Sequence, residues 1–317
     1  MICKFRKIRG TFQKYIPKFA EIYQILSDFY RKDMFCKHYI LLITTLLLLA
    51  SCQGNNNLVD FCEMEYSDSV FLAPNNPAES PVCSSSIKLI LLQASEQSQL
   101  TENVEKINRY IIDELLPNTD GAKIEEAAKL FVKEQMREFA NSVKNLYYED
   151  LEYFYENNDQ TDEEYEENKK FLIERYCYES NISTEAHIGY ADSVVCYKML
   201  AYIYSGGAHP VTVTTTTSFS LKNGQPIRPV DIFRAGTNSA LMDRLTKKLM
   251  EMQNAHSLNE LQEMGFLTIA DMFISTDMLL EPNKIVFHYD PYELAPYVYG
   301  DIDIEFSYDE LSDLMNP

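Results

Sequence analysis

Hydrophobic and polar positions along the chain fall into three rhythms, each predicting a different kind of element. A nearly continuous apolar run, Ile40 to Ala50, comes first. Apolar residues then recur at helical spacing. Leu100, Val104, Ile107, Ile111 and Leu115 predict a helix from Gln97 to Leu116, with Thr101 as its N-cap and Pro117 and Gly121 breaking it. Ala127, Leu130, Phe131, Met136, Phe139, Val143, Leu146 and Leu151 predict a second, longer helix from Ile124 to Tyr155. Ahead of both, Ile87 to Gln93 is a short apolar run that reads as the first strand.

From Phe171 onward the period shortens. Phe171-Leu172-Ile173 and Tyr176-Cys177-Tyr178 read as one extended segment and Ser193 to Tyr204 as a second, with Gly189 to Asp192 joining them as a hairpin. After a turn at Ser205 to Pro210, Val211 to Leu221 alternates with period two. Val211, Val213, Phe219 and Leu221 fall on one face, and Thr212, Thr214 and Thr216 on the other. Asn223-Gly224 makes the next turn. Helices follow at Ser239 to Gln253 and Leu258 to Met264. Strands follow at Met278 to Glu281, Lys284 to Tyr289 and Ile302 to Phe306, and Tyr308 to Met315 is a closing helical turn. The pattern predicts an α+β fold: N-terminal helices packed on an antiparallel β-sheet, then a C-terminal half of mixed helix and strand. A helix-plus-hairpin half spans 87–205 and a C-terminal domain spans 206–317.

The opening apolar run is 11 residues long, short of the roughly 20 that a membrane-spanning helix needs. With the basic start at Lys37 and His38 it has the form of a secretory signal over residues 34–51. It ends in Leu49-Ala50-Ser51-Cys52, the pattern of a bacterial lipobox, which makes Cys52 the expected lipidation site. Residues 1–33 precede a complete signal and read as a start placed too early, with Met34 the true start. Residues 52–86, with Asn55-Asn56-Asn57, Pro74, Pro77 and Pro81, read as a lipidated tether. The expected location is the cell envelope, lipid-anchored to the outer membrane and facing the periplasm, since Gln53-Gly54-Asn55 carries no acidic residue.

Charge narrows the partners. The whole chain is at net −20, and removing the nine basic and three acidic residues of 1–51 leaves −26. Nucleic acid is therefore not an expected partner, whereas a basic protein is. Beyond Cys3, Cys36 and Cys52, the four cysteines Cys62, Cys83, Cys177 and Cys196 are an even number in an oxidising compartment, open to three pairings or to staying free. His187, His256 and His288 show neither HxxxH nor HExxH spacing, so neither a metal nor another cofactor is expected. His209 could act as an acid or base with Asp192 or Asp231. The simpler reading makes Gly206, Gly207 and Pro210 a structural turn that His209 completes. Tyr292, Tyr297 and Tyr299, with Pro291 and Pro296, form a rigid aromatic segment suited to core packing, or to stacking on sugars and binding protein. The acidic run Glu149 to Glu167 reads as a solvated helix end.

Two stretches carry a resemblance: YSGGAHPVTVTTTTSFSLKNGQPI (Tyr204 to Ile227), followed by PVDIF, and LEPNKIVFHYDPYELAPYVYGDIDIEFSYDEL (Leu280 to Leu311). Together they resemble the extracytoplasmic domain of unknown function shared by RsiV-type anti-sigma factors, PdaC-type peptidoglycan deacetylases and many bacterial lipoproteins. The resemblance implies an α+β fold outside the membrane. It covers Phe171 to Met315 well and the preceding helices more loosely. The RsiV type binds lysozyme, so the resemblance suggests recognition of a basic protein such as lysozyme, or of peptidoglycan. Neither a sigma-binding segment nor a deacetylase domain is recognised in the sequence. The expected function is a non-enzymatic binding or sensing lipoprotein. The alternative is an envelope hydrolase, or an accessory enzyme of peptidoglycan modification, using His209 with a carboxylate.

Overall fold

The computed structural model describes residues 58–95, 99–116, 124–156, 161–206, 209–268 and 270–317. Cys52, Gly207 and residues 1–51 lie outside this set.

Two long strands open the fold, β1 (Val59–Phe71) and β2 (Val82–Ala94), paired antiparallel along their whole length. Most of the stretch read as a tether is therefore sheet. β1 was illegible because it is an edge strand whose charges, Asp60, Glu63, Glu65 and Asp68, interrupt the apolar alternation. Charged edges of this kind guard a sheet against pairing with other chains. Three helices follow: α1 (Thr101–Leu115), α2 (Ile124–Glu156) and α3 (Asp162–Arg175). Thr101 is the first helical residue rather than the cap; Leu100 holds the cap position without a side-chain bond. Phe171, Leu172 and Ile173 lie in α3, not in a strand. A Thr161–Glu164 capping box starts that helix, and of the three apolar residues only Leu172 is buried. A short apolar run does not itself distinguish helix from strand.

β3 (Tyr178–Ile188), β4 (Val194–Tyr204), β5 (Val211–Ser220) and β6 (Pro226–Ile227) complete a six-stranded sheet in sequence order, β1 to β6. The expected hairpin at residues 189–192 joins β3 to β4. The sheet is not wholly antiparallel, however: β2 and β3 run parallel, Cys83 opposite Tyr178. Strands joined through a helical crossover arrive side by side in the same direction, and α1 to α3 supply that crossover. One face of the sheet is covered by these helices. Ile87, Leu89, Ile182, Met199 and Ala201 pack on Ile112, Ala128, Val132 and Met136. The stripe on α2 runs largely as expected, with Ala127, Phe131 and Met136 buried and Phe139, Val143 and Leu151 packed on a core cluster, but Leu130 and Leu146 are exposed and Tyr147 is buried.

The remaining elements are α4 (Pro229–Ile232), α5 (Asn238–Met252), α6 (Leu258–Glu263), β7 (Met278–Leu280), β8 (Lys284–Tyr289), β9 (Ile302–Ser307) and α7 (Tyr308–Leu311). β7 to β9 form a separate antiparallel sheet. Its apolar face, with Ile285, Phe287, Tyr289, Ile302, Ile304 and Phe306, is buried in one cluster with Leu241, Leu245 and Leu249 of α5. Its other face alternates with this one and carries Val286, His288, Asp303 and Glu305.

β5 sits where the two sheets meet. Its hydroxyl side is the surprise. Thr214, Thr216 and Ser218 are buried, whereas Val211 and Val213 on the opposite face are only half-buried. β6 covers only Ser218 and Phe219 of the β5 edge. Beyond it, the N–H of Thr214 donates to Asp290 Oδ1 at 2.8 Å and that of Thr216 to Asp277 Oδ1 at 3.0 Å. Ser218 Oγ donates to the Met278 carbonyl and accepts from the Leu280 N–H. Polar side chains at this seam are thus strand partners in place of a seventh strand. Asp277→Ala should strand the buried Thr216 N–H and lower stability by about 1–3 kcal/mol, with Asp277→Asn milder because it keeps an acceptor. Urea unfolding followed by far-UV circular dichroism measures both.

Candidate functional site

The seam also gathers the ionisable groups of β8 and β9. His288 projects from the polar face of β8 and is 2% exposed. Its Nδ1 lies 2.6 Å from Asp303 Oδ1, its cross-strand partner on β9. Its Nε2 faces Asp290 Oδ1 at 3.5 Å, an ion-pair distance without a hydrogen bond. Burial by itself would lower the His288 pKa. The negative charges of Asp290 and Asp303, together with the hydrogen bond to Asp303, more than reverse this and hold it up at about 9. The His288 hydrogen bond in turn holds the Asp303 carboxyl below its usual range. Asp301 Oδ2 accepts from Thr214 Oγ1 at 3.1 Å, bringing a third carboxylate alongside.

Between Asp290 and Asp301 runs the tyrosine-rich loop. Tyr292 has φ +70°, and its N–H donates to the Ala295 carbonyl at 3.0 Å, closing a tight turn. The Tyr292 and Tyr297 rings stack at 5.7 Å. Tyr299 packs on Phe266 and donates its hydroxyl to the Met264 carbonyl at 2.9 Å. Gly300, at φ 64° and ψ −152°, occupies backbone space essentially restricted to glycine and returns the chain into β9. The loop is anchored from below yet open above: Tyr292 is 52%, Val298 85% and Tyr299 39% exposed. Tyr297 Oη donates to the Pro210 carbonyl at 3.5 Å, so the two sequence motifs, about 80 residues apart, meet here.

Of the turn residues, Gly206 has φ +75°, and a Cβ there would collide with the Arg175 carbonyl at the end of α3. His209 is half-buried. Asp192 precedes β4 and Asp231 follows β5, each at the end of its strand opposite the turn that carries Gly206 and Pro210. Asp231 Oδ2 accepts the Arg228 N–H in the capping box of α4.

A second cluster lies beside the seam. His187 Nε2 is 2.6 Å from Glu281 Oε2, and Cys196 is the cross-strand neighbour of His187. The three border a cavity of about 220 Å³ that Lys198, Lys284 and Glu305 also line. These are the residue types of a thiol nucleophile with its base and orienting acid. Burial, however, pushes the Cys196 thiol up to about 12, leaving it protonated and unactivated.

The sequence signals for both clusters were weak because their members come from different strands. His288-x-Asp290 ending one strand and Asp301 beginning the next was the readable trace. The acidic run, outside residues 157–160, lies in the end of α2 and the start of α3. There Asp150 accepts from the Tyr176 hydroxyl at 2.7 Å and from Arg175 at 3.1 Å, so part of the run is structural.

Among the described residues the four cysteines, Cys62, Cys83, Cys177 and Cys196, are free thiols. Cys62 is opposite Leu91 and Cys83 opposite Val70, so they sit at opposite ends of the β1–β2 hairpin, about 26 Å apart at strand spacing. Cys177 precedes β3 at the end away from Cys196. Neither of these two pairings is compatible with the register. Cys62 is exposed, whereas Cys83 and Cys196 are buried and Cys177 intermediate. Native protein should react with a thiol reagent such as DTNB fastest at Cys62, with Cys83, Cys177 and Cys196 reacting only on unfolding. Mass mapping of the adducts checks the order, and stoichiometric disulfides would contradict it.

Residues 230–309 match the family model described as a protein of unknown function, DUF3298. No curated protein matches the chain. A solved DUF3298 family member from Bacteroides fragilis NCTC 9343 is 22% identical with a TM-score of 0.68, covering 83% of this chain and 96% of that one. A DUF3298 family protein from Pseudomonas aeruginosa PAO1 is 13% identical with a TM-score of 0.49, covering 81% and 95%. The first likeness extends the shared fold well beyond the matched segment. The segment that matches the DUF3298 family model, residues 230–309, contains β7 to β9, the tyrosine loop and every member of the His288 cluster.

Proposed function

We propose that this chain is a lipid-anchored envelope protein whose DUF3298 domain captures a cationic protein on its tyrosine loop. The observation that carries this reading is the loop itself. Tyr292, Val298 and Tyr299 are exposed on one segment, which hydroxyl bonds from Tyr297 to the Pro210 carbonyl and from Tyr299 to the Met264 carbonyl tie to the rest of the fold. Rigid exposed tyrosines supply contact area at low entropic cost and are typical binding anchors. Asp301 and Asp303, both exposed at the base of the loop, add negative charge suited to a basic partner. The stacked Tyr292–Tyr297 pair favours a second reading, in which the loop receives the sugar rings of peptidoglycan. A catalytic role has less support. The thiol beside His187 is held protonated, and neither Asp192 nor Asp231 lies at the Gly206–Pro210 end of the sheet.

For the anchor, the support is the Leu49-Ala50-Ser51-Cys52 sequence. Cys52→Ala is expected to move the protein from the membrane pellet to the soluble fraction; retention in the pellet would rule out lipid anchoring. For the binding role, the protein is titrated against lysozyme by surface plasmon resonance and pelleted with purified peptidoglycan. Tyr292→Ala and Tyr299→Ala should each weaken lysozyme binding about tenfold or more. Raised salt should weaken it further, with circular dichroism unchanged. Binding to peptidoglycan alone selects the second reading, and binding to neither overturns both.

A further inference from the structure

We propose that His288, Asp290 and Asp301 form a site for one divalent transition-metal cation of the zinc class. One ligand atom from each residue lies within 4.8 Å of the other two. The imidazole is oriented as a metal-binding histidine requires. Its Nδ1 is held at 2.6 Å by Asp303, the outer carboxylate that commonly fixes a ligating ring and raises its basicity. Its Nε2 is buried without a hydrogen bond, and a ring nitrogen of His288 lies within 4.8 Å of a carboxylate oxygen of both Asp290 and Asp301. The 3.5 Å from Nε2 to Asp290 Oδ1 is long for a hydrogen bond. It matches the edge of a tetrahedron with bonds of about 2.1 Å, whose ligand atoms stand about 3.4 Å apart.

The carboxylates are held in place as well. The Thr214 N–H fixes Asp290 and the Thr214 hydroxyl fixes Asp301, so both acids are oriented from the buried face of β5. Three carboxylates, Asp290, Asp301 and Asp303, surround one imidazole, and a divalent ion would take the place of the proton on Nε2. One nitrogen and two oxygen ligands suit zinc better than calcium or magnesium, which prefer all-oxygen shells. Asp301 is exposed, so the remaining coordination position opens to solvent. The ligands come from the end of β8 and the start of β9, on either side of the tyrosine loop. A bound cation would join both ends of that loop to each other and, through Thr214, to the large sheet.

The test is calorimetric titration of the purified protein, freed of metal with EDTA, with zinc chloride, and in parallel with calcium and magnesium chloride. One equivalent of zinc should bind at micromolar affinity or tighter, with calcium and magnesium far weaker, and zinc should raise the melting temperature. Asp301→Asn, at an exposed position, should weaken zinc binding about 10–100-fold, and His288→Gln should abolish it. Cys196→Ser should leave it unchanged. If His288→Gln fails to fold, Asp301→Asn decides. Absence of stoichiometric zinc binding, insensitivity to Asp301→Asn, or loss in Cys196→Ser instead would overturn the proposal. None of these readouts involves the partner of the loop, so failure here leaves the binding function standing and the converse also holds.

Discussion

Everything distinctive in this molecule depends on how β5 ends the large sheet. A strand edge exposes a row of N–H and C=O groups that must be paired, covered or hydrated. Here Asp277 and Asp290 accept the N–H groups of Thr216 and Thr214, and Ser218 exchanges hydrogen bonds with the backbone of β7. This seam joins the two sheets through directional polar contacts, with an apolar cluster beside it. It also explains why β5 is so rich in threonine. The β-branched side chain suits a strand, while the hydroxyl suits a buried surface facing carboxylates.

That arrangement shows where sequence reasoning reached and where it stopped. Period-two alternation identified β5, and the helical stripes identified α1 and α2. What alternation cannot say is which face is buried. Thr214 and Thr216 looked like a solvent face because hydroxyls are usually outside. They are inside because Asp290, Asp301 and Asp277, 61 to 87 positions later, supply partners. β1 escaped for the opposite reason: a charged edge strand leaves little periodicity to read. Phe171 to Ile173 misled because three apolar residues fit either element, whereas the Thr161–Glu164 box that decides the matter stands ten residues upstream.

The candidate site was legible as motif but not as chemistry. The GGAHP and PYELAPYVYG stretches are joined where the Tyr297 hydroxyl bonds the Pro210 carbonyl. The His288 cluster was passed over because metal and catalytic patterns are sought at short spacing, and its members are contributed by separate strands. Cross-strand register, which puts His288 opposite Asp303 and His187 opposite Cys196, is the information that a linear motif lacks.

The parallel pairing of β2 with β3 has a consequence for how this chain reaches its native state. The bond from Ser86 Oγ to Asn181 Oδ1 closes 95 positions of chain. The β1–β2 hairpin can form from neighbouring residues, but its attachment to the rest of the sheet waits until the helical crossover has been made and laid across it. Non-local pairing of this kind slows folding. Until it is complete, the inner edge of β2 has no strand beside it, and this is the interval in which the nascent protein is most open to pairing with a neighbour.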